Sequence, residues 1–281
     1  MTTPAVSTPK RIGIVGLGAM GRPMARHLIA KDFKVAGCDP SAEARARAEA
    51  LGVAIAANPR DLAALSDAVL IVVGFDAQVE KVVFADDGLK AAARPGLVIA
   101  MGSTIAPSYA RRMAERLSGS GLILLDMALT RGESFAEAGT MLILGGGDEA
   151  AFAACEPVFR CFASDVFRLG GFGAGQVGKM VNNSILWACM SANDEGLRLG
   201  EALGVDQETM RAALVHSSAQ NFSMSARADM RPTPWAEKDM AIVLKEADAA
   251  GMSLPVAGLV REMIKDFKRR KGYPTPRVEE E

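Results

Sequence analysis

Ile12-Gly-Ile-Val-Gly16-Leu-Gly18-Ala-Met-Gly21 is a short apolar run that passes into glycines at G-x-G-x-x-G spacing, and Arg22 to Ala30 continues it with a helical pattern. Strand, tight turn and helix in that order predict the opening of a βαβ unit that binds a dinucleotide. Gly16 permits the turn, Gly18 lets the backbone approach a pyrophosphate, and Gly21 lets helix and strand pack closely. The helix N-terminus offers N–H donors to the phosphates. The cofactor-binding set from this loop is Gly16, Leu17, Gly18, Ala19, Met20 and Gly21. Asp39 stands at the end of the next apolar run, Lys34 to Cys38. A carboxylate there accepts hydrogen bonds from ribose hydroxyls and repels a 2'-phosphate, which favours NAD and leaves NADP open. The other reading of Asp39 is a turn aspartate ahead of Pro40. Arg45 and Arg47 follow on a helix and read as a solvated face.

Outward from this motif, short apolar runs alternate with amphipathic stretches, the pattern of a doubly wound, mainly parallel sheet. Strands are expected at Arg11 to Gly16, Lys34 to Cys38, Ala68 to Val73, Leu97 to Met101, Leu122 to Asp126 and Met141 to Leu144. A final short strand is expected near Asp165 to Leu169. Helices are expected at Ala42 to Ala50, Pro107 to Leu117 and Ala150 to Phe159. After the cluster Gly170, Gly171, Gly173 and Gly175 the character changes, because Gln176 to Leu203 carries helix formers without proline and meets Gly204 as a C-cap. At 1.5 Å per residue this is a rod of roughly 40 Å, long enough to join two domains. Further helices are expected at Gln207 to Val215, Glu237 to Ala250 and Pro255 to Lys268, with a non-helical linker at Arg231, Pro232, Thr233 and Pro234. The expected fold class is therefore α/β. A Rossmann-type NAD-binding domain over 1–174 precedes an all-helical substrate and oligomerisation domain over 175–281, and a long interdomain helix joins them. Glu279 to Glu281 read as a frayed tail.

Composition narrows the function. The chain has 281 residues, 49% of them hydrophobic, and a formal charge of -1. That balance gives no electrostatic reason to expect nucleic acid or an anionic membrane surface as partner, and a small molecule is the expected one. Cys38, Cys155, Cys161 and Cys189 form no C-x-x-C pair and have no histidine nearby at zinc-ligand spacing, so no metal site and a reducing, cytoplasmic setting are expected. No secretory h-region or run of roughly twenty apolar residues occurs, so no membrane span is expected.

The candidate chemistry lies at Gly173-Ala-Gly175-Gln-Val-Gly-Lys179-Met-Val-Asn182-Asn183. A lysine ammonium can protonate the alkoxide formed when a carbonyl is reduced, and its neutral form can take the proton when an alcohol is oxidised. Asn182 and Asn183 follow at i+3 and i+4, so either can share its helix face. The alternative is a lysine snorkelling from a long surface helix. His27 and His216, the only imidazoles, belong to no acid-base constellation, and His27 reads as structural.

Motifs in order along the chain then resemble a β-hydroxyacid dehydrogenase, the family of 3-hydroxyisobutyrate dehydrogenase and tartronate semialdehyde reductase. They are Gly16-Leu-Gly-Ala-Met-Gly-Arg-Pro-Met-Ala25, Ser103-Thr104-Ile105-Ala106-Pro107, Asp126-Met-Ala-Leu-Thr130-Arg131-Gly132, the Lys179 stretch, and Lys238-Asp239-Met240. The resemblance implies hydride transfer with Lys179 as general acid/base and Asn183 holding the substrate. It further implies a hydroxyl near the nicotinamide ribose from Ser103 and Thr104, the former on the substrate side and the latter on the cofactor side. Thr130, Arg131 and Gly132 would hold the substrate carboxylate, and Lys238 would close over the cofactor. Helical domains in the family pack together, so a homodimer or homotetramer is expected.

One departure concerns the substrate. Where the family usually has Ser-Gly-Gly, this chain has Thr130-Arg131-Gly132, and an arginine there resembles sulfolactaldehyde reductases. A guanidinium fork suits carboxylate, sulfonate or phosphate. The competing reading turns Arg131 outward to pair with Glu133 or Glu137. An imine reductase on the same fold generally lacks the lysine, and a non-catalytic NAD-binding scaffold would not need it.

Overall fold

The computed structural model describes residues 7–226 and 232–274. The tail Glu279 to Glu281, most of the leader and Arg231 of the proline linker lie outside the described residues. In chain order the elements are β1 (Arg11–Val15), α1 (Gly21–Ile29), β2 (Lys34–Cys38), α2 (Ala42–Glu49), β3 (Ala54–Ile55), α3 (Pro59–Leu65), β4 (Ala68–Ile71) and α4 (Asp76–Phe84). A 3-10 turn, Leu89–Ala92, precedes β5 (Val98–Met101), α5 (Pro107–Arg116), β6 (Ile123–Thr130), α6 (Glu133–Ala138), β7 (Met141–Gly147), α7 (Glu149–Phe159) and β8 (Ala163–Arg168). Helices complete the chain: α8 (Ala174–Ala202), α9 (Gln207–Leu214), α10 (Phe222–Ala226), α11 (Ala236–Ala249) and α12 (Pro255–Lys271). Contacts divide it into two compact units, Met1–Lys179 and Met180–Glu281.

The first unit is the α/β domain the sequence calls for. Its eight-stranded sheet has the order β3-β2-β1-β4-β5-β6-β7-β8. Buried β4 shows why both faces must be covered. Ala68 and Leu70 enter one apolar cluster, with Ile12, Leu125 and Phe159, while Val69 and Ile71 enter another, with Val79, Ile99 and Met113. Period-two alternation thus sends consecutive apolar side chains into opposite layers of helices. All pairings are parallel except β6 with β7. Only the short α6 lies between those strands, and a connection of that length favours an antiparallel return over a parallel crossover. Helix α7 supplies the crossover that makes β7 and β8 parallel.

The structure extends the expected sheet at four places, one of them β7, which runs on from Leu144 to Gly147. β3, which the periodicity does not reveal, pairs with β2 only through Ala36↔Ala54 and Gly37↔Ile55. β6 runs on to Thr130 rather than stopping at Asp126, because β7 pairs with its second half. β8 begins at Ala163. Helices α3, α4, α6 and α10 are also additions. α3 carries its own start signal, an Asn58 side chain accepting from Asp61 N with Pro59 in the first turn.

The second unit is helical. α8, whose residues up to Lys179 belong to the first unit, has 29 residues and ends before Gly204, whose φ of +93 the chain needs to turn away. Met190 of α8, Met240 and Val243 of α11, and Val260, Ile264 and Phe267 of α12 form its core. A buried ion pair adds to it: Lys268 Nζ, wholly inaccessible, lies 2.6 Å from Glu237 Oε2. Among the described residues no helix is long and apolar enough to cross a membrane.

Candidate active site

The first unit gathers its motifs at one edge of the sheet. Strand registers align Cys38, Val15, Ile71, Met101 and Asp126 in a single row across β2, β1, β4, β5 and β6. Asp39, the glycine loop and the Ser103–Ile105 loop all leave the strands just beyond that row. In open α/β sheets, ligands bind outside the carboxyl ends of strands where the strand order reverses, here between β1 and β4.

Close packing shapes the glycine loop. A Cβ on Gly16, which has φ +95, would stand 2.5 Å from the Val72 carbonyl oxygen, and one on Gly21 would collide with that of Gly16. Gly18 is the opposite case, exposed and with nothing within 4 Å of a Cβ. The N-terminus of α1 has no side-chain cap and no acidic residue in its first turn, so the helix itself sets no carboxylate against an anion. Leu17 is fully buried and serves the loop through its backbone, whereas Ala19 is exposed and Met20 packs partly on the core.

Asp39 holds the loop in place. Its Oδ2 accepts from Leu17 N and its Oδ1 from Ser41 N, each at 2.8 Å. Each oxygen keeps acceptor capacity that ribose hydroxyls could use. Arg45, expected on the solvated face, instead lays its guanidinium on the carbonyls of Asp39 and Pro40, while Arg47 pairs with Glu43 along α2. Behind the loop, the buried Cys38 thiol is pushed up to about 12 by burial and by the Asp39 charge. All four cysteines are unpaired.

At β5 the Ser103 hydroxyl is buried, accepts from Val73 N at 2.8 Å and lies 3.4 Å from the Ile71 carbonyl. It therefore ties the loop to the end of β4. Thr104, the next residue, is half-buried. Two residues that the sequence did not single out grip the start of α8. Asp126 Oδ2 accepts from Gly173 N at 2.5 Å and from Gly175 N at 3.0 Å. The Gln176 amide, 1% exposed, donates to the Ser103 carbonyl and accepts from Ile105 N, both at 3.1 Å. Burial pushes the Asp126 carboxyl up to about 6, against the lowering effect of the N–H groups and of Gln176. Its Oδ1 is buried without a hydrogen-bond partner. Lys179 follows on the same helix, half-buried.

Beyond the edge, β6 ends in a turn with φ of +78 at Arg131 and +89 at Gly132. The buried Thr130 hydroxyl donates to the Leu142 carbonyl at 3.2 Å. Arg131 Nη1 donates to Asp165 Oδ2 at 2.7 Å, to Ser164 Oγ at 2.9 Å and to the Thr140 carbonyl at 3.0 Å. Its carboxylate partner is thus on β8 rather than at Glu133 or Glu137. Glu137 instead takes Arg22 and Arg26 of α1, and His27 places Nε2 against the carbonyls of Ala136 and Glu137, the structural role expected of it.

In the second unit, Asn183 is buried and donates through Nδ2 to Asp239 Oδ2 at 2.8 Å. Trp187 Nε1 donates to the same oxygen at 3.0 Å. Asn182 donates to Asn183 Oδ1 and so helps to orient its neighbour. Lys238 stands beside Asp239 on α11, half-buried. His216 is exposed after the end of α9.

Sequence reasoning passed over Gln176 and the role of Asp126. A charged residue inside an otherwise apolar strand is a usable signal for Asp126, since an unpaired carboxylate is almost never fully buried. For Gln176 there is none, because its partners are backbone atoms of a distant loop.

Comparison with known proteins adds to this geometry. Residues 11–171 match the family model for the NAD binding domain of 6-phosphogluconate dehydrogenase, and residues 173–275 match that for the NAD-binding region of NADP-dependent 3-hydroxyisobutyrate dehydrogenase. L-threonate dehydrogenase of Cupriavidus necator is 30% identical over 91% of this chain and 89% of its own. Among solved structures, 3-hydroxyisobutyrate dehydrogenase from Salmonella typhimurium is 30% identical with a TM-score of 0.82, covering 94% of this chain and 96% of that one. The Mycobacterium tuberculosis 3-hydroxyisobutyrate dehydrogenase with L-serine is 26% identical with a TM-score of 0.81, covering 92% and 94%.

Proposed function

The chain belongs to the β-hydroxyacid dehydrogenase family, and on that premise we propose that it is an NAD-preferring oxidoreductase for a small anionic 3-hydroxy acid, or a related hydroxysulfonate, and the matching semialdehyde. The observation that carries the reading is the position of Lys179. It stands on the opening turns of a helix whose start is fixed to β6 and to the loop after β5, at the edge where the glycine loop also lies.

The residues present fit a nicotinamide dinucleotide. Open space at Gly18, an α1 first turn that carries no acidic residue, and Asp39 at the end of β2 supply the backbone approach, the phosphate end and the ribose acceptor. When bound, that cofactor would accept or donate a hydride at the substrate carbon.

The chain's own residues then handle the proton and the anion. Lys179 gives its proton to the substrate oxygen in the reductive direction and takes it back in the oxidative one. Asn183 follows one helical turn later, and with one amide hydrogen held by Asp239 it has a second for a substrate hydroxyl. The Thr130–Gly132 turn receives the anionic group through its backbone N–H groups, because the side chains of Thr130 and Arg131 are already engaged within the sheet. Asp39 favours NAD over NADP by charge repulsion of a 2'-phosphate.

The test is a turnover screen with NAD and NADP in parallel, across short hydroxy acids, hydroxysulfonates and semialdehydes, repeated with Lys179→Ala. Lys179→Ala is expected to lower kcat by about 10²–10⁴-fold, the range for loss of a positioned acid/base group. NAD binding without turnover of any substrate would instead identify a binding protein on this fold, and turnover that survives Lys179→Ala would assign the proton to another group.

A further inference from the structure

Gln176 is a polar side chain enclosed where an apolar one would leave two backbone groups of a distant loop without its hydrogen bonds. It is 1% exposed, and both ends of its amide are used on one distant loop. Donation and acceptance are divided between them: Nε2 donates to the Ser103 carbonyl, and Oε1 accepts from Ile105 N. Those two backbone groups flank Thr104. A single rigid amide therefore fixes the backbone on each side of the residue whose hydroxyl is assigned to the cofactor side.

The same amide is rooted on the helix that carries Lys179. At 1.5 Å and 100° per residue, Lys179 leaves that helix roughly 4.5 Å further along the axis and about 60° around from Gln176. The helix has little freedom to slide beneath it. Asp126 holds Gly173 N and Gly175 N, and a Cβ on Gly175 would already stand 2.5 Å from the Asp126 Cβ and from the Leu144 carbonyl oxygen. Asp126 thus sets how far the helix start stands off the sheet, and Gln176 sets its rotation and advance relative to the Ser103–Ile105 loop.

We propose that Gln176 is a positioning residue for the dehydrogenase reaction, holding the Lys179 helix and the Thr104 loop in one register so that the proton donor and the cofactor-facing loop present themselves together. This rests on the dehydrogenase reading above. Loss of that register lowers kcat, because displacements on the order of 1 Å at a reacting centre cost about 10²-fold in rate, while cofactor binding at the glycine loop is left in place.

Gln176→Leu, Gln176→Glu and Lys179→Ala, each in the full chain, test it together. Gln176→Leu is expected to lose about 10²-fold in kcat, with the KM for NAD changed by less than about threefold. Gln176→Glu is nearly isosteric, and its protonated carboxyl offers one donor and one acceptor as the amide does. The ionised form would set an anion against the Ser103 carbonyl and beside the Asp126 carboxylate of β6. The ratio of its kcat to that of the native enzyme should therefore climb as pH falls, a response that a filler of space would not give. Should Gln176→Leu fail to fold, that ratio alone decides.

A flat ratio near unity, or a Gln176→Leu enzyme within about twofold of native kcat, overturns the proposal. If Lys179→Ala abolishes turnover while the Gln176 variants do not impair it, only the positioning role falls. If native enzyme turns nothing over, or Lys179→Ala leaves turnover intact, the dehydrogenase reading falls and takes the positioning role with it.

Discussion

The sheet edge and the tip of β6 lie on the same strand system yet are held by different means. At the edge, polar side chains fasten backbone to backbone: Asp39 to Leu17 N, Asp126 to Gly173 N and Gly175 N, and Gln176 to the Ser103–Ile105 loop. At the tip, contact is mainly between partly exposed side chains, with Arg131 on Asp165 and Ser164, and open space around Gly132. Backbone grips in close packing admit few residue types. A side-chain pair at a partly solvated turn can be exchanged at little cost. The edge is thus suited to carry what the reaction requires, and the tip what a particular substrate requires.

The largest expected contrast comes from two glycines. In Gly21→Ala the new Cβ lands on the Gly16 carbonyl, and overpacking of a few kcal/mol should weaken NADH binding by about 10²-fold in a fluorescence titration. Gly132→Ala meets no atom and bears only the roughly 1–3 kcal/mol of backbone strain at a positive φ with extended ψ, so its NADH affinity should stay native. Equal losses of affinity in the two variants would erase the distinction between edge and tip.

Asp126 and Asp165 sharpen the contrast through pH. Burial raises the Asp126 carboxyl to about 6, so the folded state holds that proton more tightly than the unfolded chain does. Its contribution to stability is fully present below about pH 4, the unfolded carboxylate value, and is lost as pH rises through about 6. Between pH 7 and pH 4 native protein should gain about 2 kcal/mol relative to Asp126→Asn, read as a rising difference in Tm. Asp165 runs the other way, lowered by Ser164 and Arg131, so its contribution is fully present above the ordinary carboxylate value and is lost as pH falls through its lowered one. A pH-independent Tm difference for Asp126→Asn would remove the buried charge from the edge.

Smaller effects follow at Asp39 and Arg131. Asp39→Asn keeps an acceptor for one backbone N–H but removes the charge, and the ratio of kcat/KM for NAD to that for NADP should fall by about tenfold. Arg131→Ala should raise the KM of the anionic substrate by less than about threefold, because its guanidinium is occupied by Asp165. A tenfold rise would mean that the guanidinium leaves Asp165 for substrate, and would move specificity from the backbone of the turn to its side chain.

What could be read in the sequence follows the same division. The glycine loop is legible because sterics leave Gly16 and Gly21 no alternative, and the doubly wound sheet because alternation in runs such as Ala68 to Ile71 serves two apolar layers. β3 is not legible, since two residues on one edge of β2 carry no periodic signal. α3 could have been found from Asn58-Pro59-Arg-Asp61, a cap followed by proline. The partners of Asp126, Gln176 and Arg131 could not, because they lie 47, 71 and 34 residues away and are chosen by the fold. Lys179 and Asp39 were identified by position relative to glycines, while the occupation of the Arg131 guanidinium became visible only with β8 in place.

The reversed pairing of β6 with β7 also acts as a ruler. Register aligns Thr130 with Leu142 and Asp126 with Gly146, and β8 in turn aligns Arg168 with Gly145. The hairpin rises past the edge and brings the chain back level with Asp126, where α8 can begin. One residue inserted within β7 would turn the side chains beyond it to the opposite face, or break the pairing on both of its sides. Changes of length at the tip therefore belong in the connection from 131 to 140, and an engineer should leave the count from Met141 to Gly147 alone.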